Sequence, residues 1–290
     1  MLKWILFLLS EYYFEIFREN SAEILASIKE KAPWVEVELR KAEGQDALSG
    51  QERILAGETL LITDLPEAAN RYLEKGWYLA ALYHEKNQGL SFPGVRYAIE
   101  DVSVLEYRSY EEIYRRLAGI PWNILETQRL RVRESTLEDV DEFYRIYREP
   151  AITRYMENLF PEKEAELAYM KAYISQIYGF YGYGLWSVLL KEEGRVIGRA
   201  GLSVREGYEF PELGFVIEAA YQKKGYGFEV CAAILEYARR ELAFDRVQAL
   251  VKEGNAASKK LLKRLGFLYE RNVYEKEGEY ELHTIEFIKT

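Results

Sequence analysis

The chain has 290 residues and a formal net charge of −9, and 49% of its residues are apolar. That length and apolar content suit two domains with cores of their own, and the acidic balance excludes a nucleic-acid surface as the main business, because phosphate backbones require a basic footprint. One cysteine, Cys231, and two histidines, His84 and His283, exclude an internal disulfide and leave no metal-ligand spacing, so no metal is expected.

The amino-terminal run Trp4-Ile5-Leu6-Phe7-Leu8-Leu9 is too short to span a membrane and continues into Glu11-Tyr12-Tyr13-Phe14-Glu15 rather than into a small-residue cleavage site. A cytoplasmic protein without membrane contact is the expectation, consistent with the scarcity of cysteine. Apolar spacing through Ile16, Ile24, Leu25 and Ile28 predicts a helix, and the alternation Val35-Glu36-Val37-Glu38-Leu39 predicts a strand. Thr59-Leu60-Leu61-Ile62-Thr63 has the pattern of a buried strand, residues 66–75 that of a helix stopped by Gly76, and residues 77–83 that of a second strand. This is a βαβ unit, so the first domain is α/β with some parallel sheet. Asp64 reads as a helix-start residue, and His84 and Glu85 read as surface loop residues. A helix over 110–117 leads through Gly119-Ile120-Pro121-Trp122 to a junction near Glu126-Thr127, giving domains 1–126 and 127–290. Most of the acidity falls in the first of them.

The second domain opens with the strand Leu130-Arg131-Val132-Arg133, and Thr136-Leu137-Glu138-Asp139 then caps a helix through Tyr147. A second helix is predicted over 163–178. Tyr178, Tyr181 and Tyr183, interleaved with Gly179, Gly182 and Gly184, read as a loop. Two strands, 185–191 and 196–204, form a hairpin about Glu192-Glu193-Gly194. A strand over 212–218 then feeds Gln222-Lys223-Lys224-Gly225-Tyr226-Gly227, which opens a helix to Glu241. Cys231 lies on its inner face as a small apolar residue. A strand over 246–251, a helix over 256–265 and two closing strands complete a mixed α/β domain.

The strand-to-helix turn at 222–227 carries the chemistry. Backbone N–H groups converge there, the positive end of the following helix favours an anion such as a pyrophosphate, and the two glycines let a ligand approach the chain closely.

In this order of elements, Gln222-x-x-Gly225-x-Gly227 and the later Asn255-Ala256-Ala257-Ser258 ahead of Leu265-Gly266-Phe267 resemble the GNAT superfamily of acyl-CoA N-acyltransferases. Leu130-Arg131-Val132-Arg133, Leu137-Glu138-Asp139 and Ile152-Thr153-Arg154-Tyr155-Met156 resemble the RimJ/RimL branch in particular. The resemblance covers essentially the whole second domain. It implies an acetyl-CoA-dependent N-acetyltransferase acting on a primary amine, either a protein N-terminus or a small molecule, by direct attack in a ternary complex. A sensor that binds acetyl-CoA without turnover is the alternative, and a homodimer is one assembly such a domain allows.

By the same resemblance, Gln222, Lys223, Lys224, Gly225, Tyr226, Gly227 and Phe228 hold the coenzyme A pyrophosphate. The main chain of Phe215, Val216 and Ile217 flanks the pantetheine arm where the strand splays, and Asn255 and Ser258 contact that arm. Glu212 is the implied base, on the strand that carries the acetyl group, with Glu218 the poorer choice. The tyrosine that serves as general acid in many members falls at Leu262, with Tyr269 as a candidate substitute or a buried aromatic. Tyr155, Phe160, Tyr181, Tyr183 and Trp186 come from the acceptor side and read as core or wall, with Glu157 an acid that could attract an amine. In the first domain, Thr63-Asp64 followed by Pro66-Glu67-Ala68-Ala69 resembles the closing βαβ unit of haloacid-dehalogenase-like hydrolases, where such an acid helps hold magnesium. No second acidic motif accompanies it.

Overall fold

The apolar run near the start of the chain forms β1 (Trp4–Leu9), an interior strand of a parallel sheet in the computed structural model, which describes residues 1–42, 54–276 and 278–287. A strand covered on both faces needs no alternation, and Ile5 through Leu9 are all buried. Phe7 and Leu9 point into one core with Phe17, Leu60 and Tyr110, whereas Leu6 and Leu8 point into another with Leu61, Ala69 and Tyr72.

The chain divides into two compact units, Met1–Ile120 and Pro121–Thr290. In the first, β1 is followed by α1 (Glu11–Lys31), β2 (Glu36–Lys41), β3 (Thr59–Thr63), α2 (Pro66–Glu74), β4 (Tyr78–Leu82), β5 (Ala98–Ile99) and α3 (Tyr107–Leu117). The strand order is β2-β1-β3-β4-β5, and every neighbouring pair is parallel.

Asp64 does not cap α2, because Leu65 occupies that position. Its buried carboxylate accepts from the Ser10 amide at 2.7 Å and the Ser10 hydroxyl at 2.5 Å and faces His84 Nε2 at 3.1 Å. Tyr13 stacks on His84 with ring centroids 4.7 Å apart. Asp64 and His84 thus tie together the carboxyl ends of β1, β3 and β4, a role that spacing along the chain does not reveal.

The second unit contains β6 (Asn123–Glu126), β7 (Leu130–Arg133), α4 (Val140–Tyr147), α5 (Pro150–Thr153), α6 (Lys163–Tyr173), α7 (Gly179–Tyr181), β8 (Leu185–Leu190), β9 (Val196–Ser203), β10 (Glu212–Ile217), α8 (Tyr226–Arg240), β11 (Arg246–Lys252), α9 (Ala256–Leu265), β12 (Leu268–Glu275) and β13 (Gly278–Glu286). It begins at Pro121 rather than at residue 127, since Glu126 already pairs with Arg131 in the sheet. Eight strands lie in the order β12-β13-β11-β10-β9-β8-β7-β6. Neighbours are antiparallel except β10 and β11, which run parallel. Trp186, Ala200 and Leu202 pack against Val230, Cys231 and Ile234 of α8, and Leu189, Val196 and Val216 pack against Phe143, Ile146 and Met170 of α4 and α6.

The tyrosine and glycine stretch that reads as a loop is largely helical. A π turn, Ile174–Tyr178, continues α6 into α7, and Gly182 at φ 72° ends it. Burial explains the difference: the Tyr178 ring is 1% exposed, and its hydroxyl donates to the Leu185 carbonyl at 2.5 Å. Among the described residues no helix is long and apolar enough to cross a membrane.

The entry to α4 is fastened by one carboxylate. Buried Asp139 accepts both terminal nitrogens of Arg133 at 2.6 and 2.7 Å, the Thr136 amide at 2.9 Å and the Ser187 hydroxyl at 2.7 Å. Asp139→Ala leaves these donors unmatched and is expected to destabilise the protein by about 3 kcal/mol, the lower end for a broken buried pair because the Arg133 side chain keeps 19% exposure. Urea unfolding checks the value, and a loss under roughly 1 kcal/mol would contradict this assignment.

Candidate active site

Strand β10 is paired along its whole length on one side only. It pairs with β9 along its whole length, from Glu212 opposite Ser203 to Ile217 opposite Gly198. With β11 it shares a single Cα pair, Glu212 opposite Gln248, supported by the Gln248 amide donating to the Pro211 carbonyl at 2.9 Å. Beyond that pair the two parallel strands separate. The main chain of Phe215, Val216 and Ile217 therefore lines a slot on its β11 side.

The wide end of the slot meets the start of α8. After a short turn, Ala219–Tyr221, the Gln222 side-chain Nε2 donates back to the Ile217 carbonyl at 2.9 Å. Lys223 then adopts φ 60° and Gly225 φ 87°, left-handed conformations that turn the chain into the helix. Among the described residues, none of the backbone N–H groups from Lys223 to Phe228 donates to a protein acceptor; the first such bond is Glu229 to the Gly225 carbonyl at 3.0 Å. Six unspent donors at the positive end of a 15-residue helix suit a diphosphate. The Lys223 and Lys224 side chains lie at the surface beside them.

Arg129 holds this turn in place. It donates to Glu229 Oε2 at 2.7 Å and to the Lys224 carbonyl at 3.1 Å, and it lies 4.2 Å from the Tyr226 ring centre. Glu229 also accepts from the Thr127 hydroxyl at 2.6 Å and the Arg129 amide at 3.0 Å. Burial acts against the Glu229 charge, but these hydrogen bonds and the Arg129 charge outweigh it and hold the carboxyl below its ordinary range.

On the opposite wall, Asn255 caps α9, its Oδ1 accepting the Ser258 amide at 3.1 Å. Leu262 is fully buried in the core, so α9 offers no hydroxyl from that position. Tyr269 is not a buried aromatic: it is 55% exposed and its hydroxyl donates to Asn272 Oδ1 at 2.9 Å. Tyr155, from the segment after α5, donates to the Gly254 carbonyl at 3.1 Å and so links that segment to the β11–α9 turn.

Glu212 and Gln248 stand side by side at the closed end of the slot. The Glu212 carboxylate is gripped by Arg205, with Nε to Oε2 at 2.5 Å and Nη2 to Oε1 at 3.4 Å. Burial works against the Arg205 charge, and the hydrogen bond and charge of Glu212 more than offset it, so the guanidinium stays above its usual range. Glu218 is separately committed to ion pairs with Arg145 and Arg195. Of the aromatic residues from the acceptor side, Trp186 is core, Phe160 and Tyr181 are 49% and 40% exposed, and Tyr155 and Tyr183 are half-buried. Glu157 is exposed.

Residues 129–268 match the Acetyltransferase (GNAT) domain family. The uncharacterized N-acetyltransferase YnaD of Bacillus subtilis (strain 168) is 30% identical over 145 residues, which cover 50% of this chain and 82% of that protein. The chain belongs to the GNAT acetyltransferases. The [Ribosomal protein uS5]-alanine N-acetyltransferase of Escherichia coli (strain K12) is 31% identical over 134 residues, covering 44% of this chain and 66% of its own length. A solved GNAT-family acetyltransferase from Bordetella pertussis aligns with a TM-score of 0.48 and 24% identity, over 55% of this chain and 97% of that one.

GNAT enzymes transfer an acetyl group from acetyl-CoA to an amine, and the unspent donors and the parted strands of this chain fit that cosubstrate. Arg129, Glu229, Arg205 and Gln248 were not anticipated from the GNAT motifs. Gln248 alone carries a local signal, as a single amide inside the apolar stretch Val247 to Val251. Cys231 has no part in the site: it is fully buried, and burial pushes its thiol above the ordinary range. A thiol-specific reagent is expected to leave Cys231 unmodified in the native protein and to label it fully in denaturant; stoichiometric labelling of the native chain would contradict its placement.

Proposed function

We propose that the second unit acetylates a primary amine, a protein N-terminus or a small-molecule amine, by direct attack on acetyl-CoA while both substrates are bound. The observation that carries this reading is the coincidence of a one-sided strand with unspent amides at its helix end. The backbone and side chains from Gln222 to Phe228 hold the pyrophosphate, with Lys223 and Lys224 adding positive charge. The main chain of Phe215, Val216 and Ile217 pairs with the pantetheine amides, and Asn255 and Ser258 hold the arm from the α9 side. Acetyl-CoA supplies the activated acyl group.

With the diphosphate at the wide end, the acyl end is directed toward the closed end and therefore toward Glu212. Glu212 accepts the proton that the attacking amine must lose. Its Oε1 is suited to this, since its contact with Arg205 is the longer of the two, while the bond at Oε2 fixes the orientation of the carboxylate. Holding the amine and acyl carbon together supplies a large share of the rate without further residues. The similarity to the [Ribosomal protein uS5]-alanine N-acetyltransferase supports an amino group of a protein or peptide as acceptor.

Release of coenzyme A thiol tests this directly, with short peptides bearing free N-termini set against small primary amines. A peptide or small amine is expected to accelerate release, and Glu212→Gln to lower kcat roughly 10²-fold while leaving KM for acetyl-CoA unchanged within about twofold. Release that no amine accelerates would contradict the transfer reading, and an unchanged kcat in Glu212→Gln would remove Glu212 as the base.

A further inference from the structure

Gln248 is 2% exposed, and its side-chain Nε2 has no hydrogen-bond partner. Whichever way a glutamine amide is turned, a buried end without a partner is destabilising by roughly 1–3 kcal/mol, and natural folds leave few such groups. This one lies beside Glu212, in the only residue pair that joins β10 to β11. Val247 and Ala249 pack into the core on the α8 face, so alternation along the strand places Gln248 on the opposite face. Glu212 shares that opposite face, since its neighbour Leu213 also enters the α8-side core.

We propose that the Gln248 side-chain amide donates to the acyl carbonyl oxygen of acetyl-CoA and stabilises the charge that builds on it. The inference rests on the acetyl-CoA reading above. An arm anchored at 223–228 and lying along 215–217 cannot pass the joined pair Glu212–Gln248, so its acyl end stops there. As the amine nitrogen bonds to the acyl carbon, the carbonyl π pair moves onto oxygen, where the Gln248 N–H meets it. The pair returns as the carbon–sulfur bond breaks, its electrons leave on sulfur, and sulfur takes a proton from water. The proton released by the amine goes to Glu212. A donor already buried and unspent needs no reorganisation to do this, which is the condition under which such donors are most effective. In this reading a local cost in stability is retained for function.

Coenzyme A without its acetyl group has no carbonyl, and that difference provides the test. By calorimetry, the full-length chain is expected to bind acetyl-CoA about 3–10-fold more tightly than free coenzyme A, the range for one neutral hydrogen bond. Gln248→Met, of similar volume, is expected to erase that preference while leaving the Kd for coenzyme A unchanged and melting no lower than the parent. With acetyl-CoA labelled at the carbonyl carbon, the infrared carbonyl band should shift to lower frequency on binding to the parent and not to Gln248→Met. An unchanged preference and an unchanged band shift in the variant would overturn the role of Gln248 while leaving coenzyme A binding in place. Failure of the parent to bind coenzyme A at all would overturn the acetyl-CoA reading itself, and this role with it.

Discussion

One missing set of hydrogen bonds organises the second unit. Adjacent parallel strands ordinarily satisfy each other along their length, and an unpaired backbone is costly where water is excluded. Here β10 and β11 meet at one residue pair and then separate, while β9 and β13 hold their outer edges in register. After the strands part, α8 and α9 follow them, pack on each other and share one core with the sheet. The result is a fixed row of main-chain donors and acceptors ready for a ligand shaped like an extended strand.

The surrounding structure makes that opening usable. Left-handed backbone at Lys223 and Gly225 aims the first amides of α8 at one end of the slot, and Arg129 with Glu229 secures this turn to the chain just before β7. At the other end, Arg205 orients Glu212. The proposed binding groups and the proposed base thus lie at opposite ends of one strand six residues long.

How much of this is legible in the sequence depends on whether the determining contact is local. The turn at 222–227 is readable because glycine spacing, a preceding apolar strand and a following amphipathic helix are all local signals. The same holds for the βαβ unit through Pro66 and Gly76 and for the capping residues ahead of α4. The strand character of Trp4 to Leu9 is obscured because burial on both faces removes alternation. The helical state of Gly179 to Tyr181 is obscured because it depends on tertiary burial of Tyr178. Asp64 is a further case: a helix-start residue by position, it is held by Ser10 and His84, 54 and 20 residues away. In the site itself, the GNAT motifs point to the backbone cradle but not to Arg205, the side-chain partner of Glu212, nor to Gln248, which is set opposite Glu212 only by strand register.

The central claim is that amides between 223 and 228, together with the free edge of β10, are the groups that take up acetyl-CoA. Hydrogen exchange followed with and without acetyl-CoA tests it most directly. The account predicts slowed exchange concentrated in 223–228 and in the free-edge amides of 213–217, with little change elsewhere in the sheet. Unaltered exchange in those two segments, with acetyl-CoA bound to the protein, would contradict it.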